Sequence, residues 1–151
     1  MIFVTVGTTP FPFLRMRDIV QKMVKNQKEK EEIIFQYGST PNVVHKTVKN
    51  FDSLPYPRMK TYMTKARVVV CHGGPATIYQ ALEAGKVPYV LPRKKEFGEH
   101  VDDHQVYFSE FMEKQGFIRT AAIVKDILNS EARKIRKTTH SRPSTLRCKE
   151  K

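Results

Sequence analysis

Met16, Ile19, Val20, Met23 and Val24 recur at three- and four-residue intervals, a spacing that predicts an amphipathic helix running to about Lys28. Ahead of it, residues 2–6 (IFVTV) have the length and β-branched content of a strand. Residues 32–37 and 44–51 predict one or two further strands, and 59–65 a short helix. The run Val68-Val69-Val70-Cys71 is apolar throughout, which suits a central strand buried on both faces. There follow a helix over 76–84 closed by Gly85, a strand over 88–91, and a long polar loop. A helix from near Val101 is expected to point Phe108, Phe111 and Met112 at the core. A strand over 117–120 and a final helix over roughly 122–136 complete the pattern. Alternation of this kind predicts an α/β domain, a Rossmann-like parallel sheet with helices on both faces.

In such a sheet, ligands bind beyond the carboxyl ends of the strands, beside the starts of the following helices. Four stretches fall there: Gly7-Thr8-Thr9, Leu54-Pro55-Tyr56, His72-Gly73-Gly74 and the loop from Pro92 to His100. In the third, two glycines let backbone approach a ligand closely, and Pro75 suits the first helical position because its missing N–H has no intrahelical partner to lose. The amides of Ala76 and Thr77 would then face outward with the positive end of the helix dipole behind them, a seat for a diphosphate to which the Thr77 hydroxyl adds a donor. Equally, Gly-Gly-Pro is a serviceable tight turn between strand and helix; it is neither a Walker motif nor G-x-G-x-x-G. In the long loop, a helix with Val101, Phe108 and Phe111 as core positions puts His104 on the inward side of its first turn. There His104 and Gln105, which both donate and accept, would read sugar hydroxyls. The plainer alternatives are a helix-start histidine bonded to nearby backbone, and for His100 a solvated loop residue.

Charge changes the picture only locally. The net charge is +12, and half of it lies in residues 131–151, where eight Lys/Arg face two Glu among Ser, Thr and Pro. Residues 138–151 therefore read as a disordered basic tail behind a domain spanning 1–137. A basic tail serves nucleic acid, phosphate ligands or an anionic membrane, or is simply solvated. Nucleic-acid binding draws on the charge alone, with no helix-turn-helix pattern or zinc spacing beside it, and is not expected. No apolar run approaches the roughly 20 residues of a bilayer span, and no secretory signal precedes the first strand, so a cytoplasmic location is expected. Cys71 and Cys148 lack metal-ligand spacing and read as thiols.

The run CHGGPATIYQALEAGKVPYVLPR followed by GEHVDDHQ resembles the carboxyl-terminal domain of the family 28 glycosyltransferases. It is especially similar to the short, stand-alone bacterial exopolysaccharide subunits of the PssE kind, themselves similar to the catalytic subunit of the dolichol-linked UDP-N-acetylglucosamine transferase. The opening IFVTVGTTPFPFLRM matches the same group, so the resemblance extends over residues 1–120.

It implies the donor-binding half of a GT-B fold that holds a UDP-sugar as co-substrate without a metal or other cofactor. Gly7, Thr8, Gly74, Ala76 and Thr77 would surround the diphosphate, with Gly73 also donor-binding, the chain at Pro55 and Tyr56 would face the uracil, and His104 and Gln105 would meet the sugar. Arg93, Lys94 and Lys95 would answer the charge of the leaving diphosphate. Related sequences carry a ribose-clasping glutamate where this chain has Gln80. His72, Glu99 and His100 are the candidate general bases, although in one-chain relatives the base belongs to the acceptor half. The implied whole is a two-component inverting hexosyltransferase. Its partner would be a membrane-associated acceptor-binding subunit that presents a lipid-linked acceptor and holds this chain peripherally at the membrane. The alternative is a non-catalytic nucleotide-sugar-binding or regulatory subunit.

Overall fold

The computed structural model describes residues 1–120 and 124–130. Six parallel strands form one sheet: β1 (Ile2–Thr5), β2 (Ile33–Gln36), β3 (Val48–Phe51), β4 (Val68–His72), β5 (Tyr89–Leu91) and β6 (Arg119–Thr120). Their spatial order is β3-β2-β1-β4-β5-β6. The helices between them are α1 (Leu14–Asn26), α2 (Tyr56–Lys65), α3 (Pro75–Glu83), α4 (His104–Lys114) and α5 (Val124–Asn129). The α/β architecture expected from the alternation is thus the one observed.

Period-two alternation along β1 and β4 divides the core. Ile2, Val4, Val68 and Val70 face a cluster built with Phe13, Met16, Val20 and Met23 near α1 and Ile127 of α5. Phe3 and Val69 face the opposite cluster, with Met63 of α2 and Ala81 of α3. A third cluster joins Cys71, Ile78, Val90, Met112 and Ile118 beneath α3 and α4. Because both faces of β4 are covered, its five residues are all buried, which is why the run ahead of His72, Val68–Cys71, is apolar without interruption. Each large apolar side chain buried in this way contributes roughly 1.5–3 kcal/mol.

Several boundaries move. The third strand begins at Val48; Val44 lies before it and is 91% exposed. Helix α2 starts at Tyr56, three residues earlier than the apolar pattern suggests. Helix α4 starts at His104 rather than near Val101, and neither Val101 nor Phe111 is a core residue: they are 62% and 58% exposed. The buried positions of α4 are Gln105, Ser109 and Met112, so its inward stripe is largely polar and hydrophobic periodicity misplaces it. The final helix is described over Val124–Asn129, and the expected tail at 138–151 lies outside the described residues. Among the described residues no helix is long and apolar enough to cross a membrane.

Candidate functional site

With every strand pointing one way, the connections after β1, β3, β4 and β5 meet at one edge of the sheet. From β1 the chain moves outward to β2 and β3, then returns to lay β4 on the other side of β1. The loops that leave β1 and β4 therefore diverge and open a crevice, the usual ligand position in a sheet of this order. Gly7 lies on one side of it and His72-Gly73-Gly74 on the other.

Helix α3 starts there with Gly74 as its N-cap and Pro75 next, and no side chain caps it. Its first-turn amides lack intrahelical partners, so Ala76, which is exposed, and Thr77, which is half-buried, present donors at the crevice. At the other end of α3 the Gly85 amide bonds Leu82 O (2.9 Å) and the Lys86 amide bonds Ala81 O (3.0 Å), an ending that needs the positive φ of Gly85 (77°).

The glycines of the crevice have a reason the sequence does not reveal. A Cβ on Gly74 would lie 2.3 Å from Cε1 of His72, and one on Gly7 would lie 2.6 Å from Nε2 of the same ring. The imidazole, only 6% exposed, occupies the space that two side chains would need. Its Nδ1 accepts the Gly74 amide (3.2 Å), so the ring proton sits on Nε2, 3.1 Å from Oγ1 of Thr77. Burial, reinforced by the nearby Arg93 charge, lowers the His72 pKa to about 4, and the ring is neutral at physiological pH.

Gln105 is the clamp of the site. Its Oε1 accepts the amides of Gly73 (3.1 Å) and Arg93 (3.2 Å), and its Nε2 lies 3.3 Å from Nδ1 of His72. One buried amide thereby joins the β4–α3 turn to the β5–α4 loop and orients the histidine. This corrects the expectation that Gln105 faces a sugar: its hydrogen-bonding groups are turned inward and occupied.

Arg93 is corrected likewise. It is fully buried, with its guanidinium donating to Phe11 O (2.8 Å), Glu99 O (3.1 Å) and Val6 O (2.6 Å) and lying over the Phe13 ring. Burial lowers its pKa to about 10, which leaves it charged at neutral pH, but that charge is spent tying the loop after β1 to the loop after β5. Lys94 and Lys95 carry the more accessible charge of this loop.

Of the three candidate bases, Glu99 and His72 are enclosed. Glu99 is 2% exposed and holds Arg15 through two bonds (2.6 and 2.9 Å) while accepting the Lys94 amide (3.0 Å). Both are scaffold rather than reachable bases. His100 is half-buried, its ring stacked on Phe11, and burial holds its pKa below the ordinary histidine value. His104 opens α4 but faces solvent, bonded through Nδ1 to Asp102, so the inward placement expected for it does not hold. Asp102 also accepts the His104 amide (3.1 Å), and these bonds lower its pKa. Although no metal site was expected, His100, Asp102 and His104 place one potential ligand atom each within 4.8 Å of one another.

Thr8 is exposed beside Gly7, Tyr56 is exposed at the start of α2, and Gln80 is half-buried on α3. Two residues outside the expected set matter. Arg15 neutralises Glu99, and buried Gln36 donates to Gly7 O (3.1 Å) and Asp52 O (2.8 Å), fastening the glycine loop to the end of β3. A polar residue closing the buried run 33–36 was the one local sign of Gln36; Arg15 gave none. Cys71 is a buried thiol whose pKa burial raises to about 12, so it is inert as a nucleophile.

The chain is similar in structure to the glycotransferase of kitacinnamycin, with a TM-score of 0.61 and 16% identity over 86% of this chain. It spans 35% of that protein, and the likeness is one of fold, the Rossmann-like half of a GT-B glycosyltransferase. No curated protein is similar enough to count as a match. The model of the glycosyltransferase family 28 C-terminal domain matches residues 1–147, nearly the whole sequence, and the chain belongs to this family.

Proposed function

We propose that this chain is the donor-binding, catalytic half of a two-component inverting glycosyltransferase that uses a UDP-sugar and a lipid-linked acceptor. One observation carries the reading: α3 begins uncapped at the crevice between β1 and β4, with the Thr77 hydroxyl beside its unpartnered amides. Departure of a nucleoside diphosphate requires its developing charge to be met, and preorganised amides and a helix dipole do this with no reorganisation at the moment of reaction. Lys94 and Lys95 add accessible positive charge, so this step needs no metal. The base that deprotonates the acceptor belongs to the partner, because His72 and Glu99 are enclosed and engaged and the His100 ring is stacked on Phe11 with its Nδ1 accepting the Val101 amide. That partner also carries the membrane attachment and closes the cleft that a single α/β half leaves open. Tyr56 serves the base and Gln80 the ribose of the nucleotide.

Calorimetry against UDP-, GDP- and dTDP-sugars tests the donor, with UDP ligands expected to bind equally in chelator and in magnesium. Turnover on a lipid-linked acceptor is expected only after the acceptor-binding subunit is added. Robust turnover by the chain alone would overturn the two-component reading. Donor binding without turnover in the reconstituted pair would favour a regulatory donor-binding module, the reading to which the enclosure of His72 and Glu99 lends weight.

A further inference from the structure

We infer that His100, Asp102 and His104 form a binding site for one divalent ion of the zinc class. The three residues share an H-x-D-x-H spacing, and their ligand atoms all lie within 4.8 Å of one another. Around a tetrahedral zinc ion, ligand atoms about 2.1 Å from the metal stand roughly 3.4 Å apart. Nδ1 of His100 and Oδ1 of Asp102 are already 3.7 Å apart. Completing the site requires the hydrogen bond between Asp102 and His104 Nδ1 to open, so that both atoms turn to the ion.

The cluster is held before any ion arrives. Asp102 is anchored to the start of α4 by the His104 amide (3.1 Å), and the His100 ring stacks on Phe11 and meets the His104 ring nearly at right angles, their centroids 4.7 Å apart. Nδ1 of His100 accepts the amide of exposed Val101 (2.9 Å), a bond that water replaces when the ring turns to a metal.

The donor set selects the ion. Two imidazoles and one carboxylate suit zinc, cobalt or nickel, whereas magnesium demands an octahedron of oxygens. Three protein ligands on a half-exposed loop leave at least one coordination position to solvent. A bound ion would join the end of the β5–α4 loop to the first residue of α4 and stiffen the rim beside Phe11. This site stands apart from the metal-free diphosphate binding proposed above, which concerns magnesium and the start of α3.

The test is titration of the full chain with zinc chloride by calorimetry, with Cys148→Ser in every sample so that the second thiol does not compete. One ion per chain is expected, with no magnesium heat under the same conditions. His100→Ala and His104→Ala are each expected to weaken zinc by more than the roughly 10- to 100-fold typical of losing an outer-shell partner. Asp102→Asn is expected to weaken it less, and His45→Ala to leave it unchanged. Cobalt substitution supplies a second readout, visible ligand-field bands that vanish in the His100→Ala, His104→Ala double variant. Absence of zinc binding, or zinc and cobalt binding that survives that double variant, would overturn the site. Neither readout depends on a sugar donor or on activity.

Discussion

Nε2 of His72 donates to Oγ1 of Thr77 across 3.1 Å, and the direction of that bond is fixed because Nδ1 of the same ring accepts the Gly74 amide. Thr77 therefore keeps its own proton for an outside acceptor at the start of α3. Thr77→Val is expected to weaken UDP by about 1 kcal/mol, close to fivefold, and to leave uridine unaffected. Thr77→Ser should retain the affinity of the parent. Calorimetry with the two ligands reads the difference, and an equal loss for both would show that the hydroxyl does not serve phosphate.

A second expectation follows from the ring's volume. Gly74 has an ordinary φ of −70°, so the obstacle to a side chain there is the imidazole itself. Gly74→Ala should cost about 1–3 kcal/mol by overpacking and be substantially relieved in a His72→Ala background. Gly7→Ala should be relieved only in part, because its φ of +77° strains any side chain regardless of space. Denaturant unfolding of the two double-mutant cycles distinguishes steric from backbone cost.

Buried His72 also makes stability depend on pH. Its pKa of about 4 lies below the ordinary 6.5, so between those values the unfolded chain binds more protons than the folded one. Stability should be fully present above pH 6.5 and decline as pH falls toward 4, by about 3 kcal/mol from this residue. His72→Asn, whose Oδ1 takes the place of Nδ1 without titrating, should show a shallower decline. Parallel pH profiles for parent and variant would contradict the assignment.

Glu99 and Arg15 should behave as a unit. Removing the carboxylate charge with Glu99→Gln is expected to cost about 1–3 kcal/mol, below the roughly 3–5 kcal/mol of a fully buried pair because Arg15 can turn to solvent. Arg15→Ala should cost as much or more, since it strands the Glu99 carboxylate, and the double variant less than the sum. Strict additivity in denaturation would separate the two residues.

At Gln80, replacement by Glu is expected to keep or improve UDP binding, since a carboxylate accepts ribose hydroxyls more strongly than an amide. Gln80→Ala should weaken it by about 1 kcal/mol. Unchanged affinity in both variants would move the ribose away from this face of α3.

What the chain determines by itself is the order of strands and helices, the buried centre at Val68–Cys71, the apolar face of α1 and the edge at which loops gather. These are local or periodic signals: a face buried on every second or every third-to-fourth residue writes itself into the sequence. Even the family resemblance lies in residues that a linear reading finds, CHGGPAT and GEHVDDHQ. Tertiary structure alone decided which side chains of the loop after β5 and of the first turn of α4 turn inward. Arg93 reads as a phosphate-facing cation until the carbonyls of Val6 and Phe11, more than 80 positions away, claim it, and Gln105 reads as a sugar contact until Gly73 and Arg93 claim its amide oxygen. In a loop no periodicity assigns a side chain to a face, and along α4 the inward stripe is too polar for hydrophobic periodicity to find it. Its direction is set by buried donors and acceptors that must find partners, and those partners become neighbours only once the sheet has assembled.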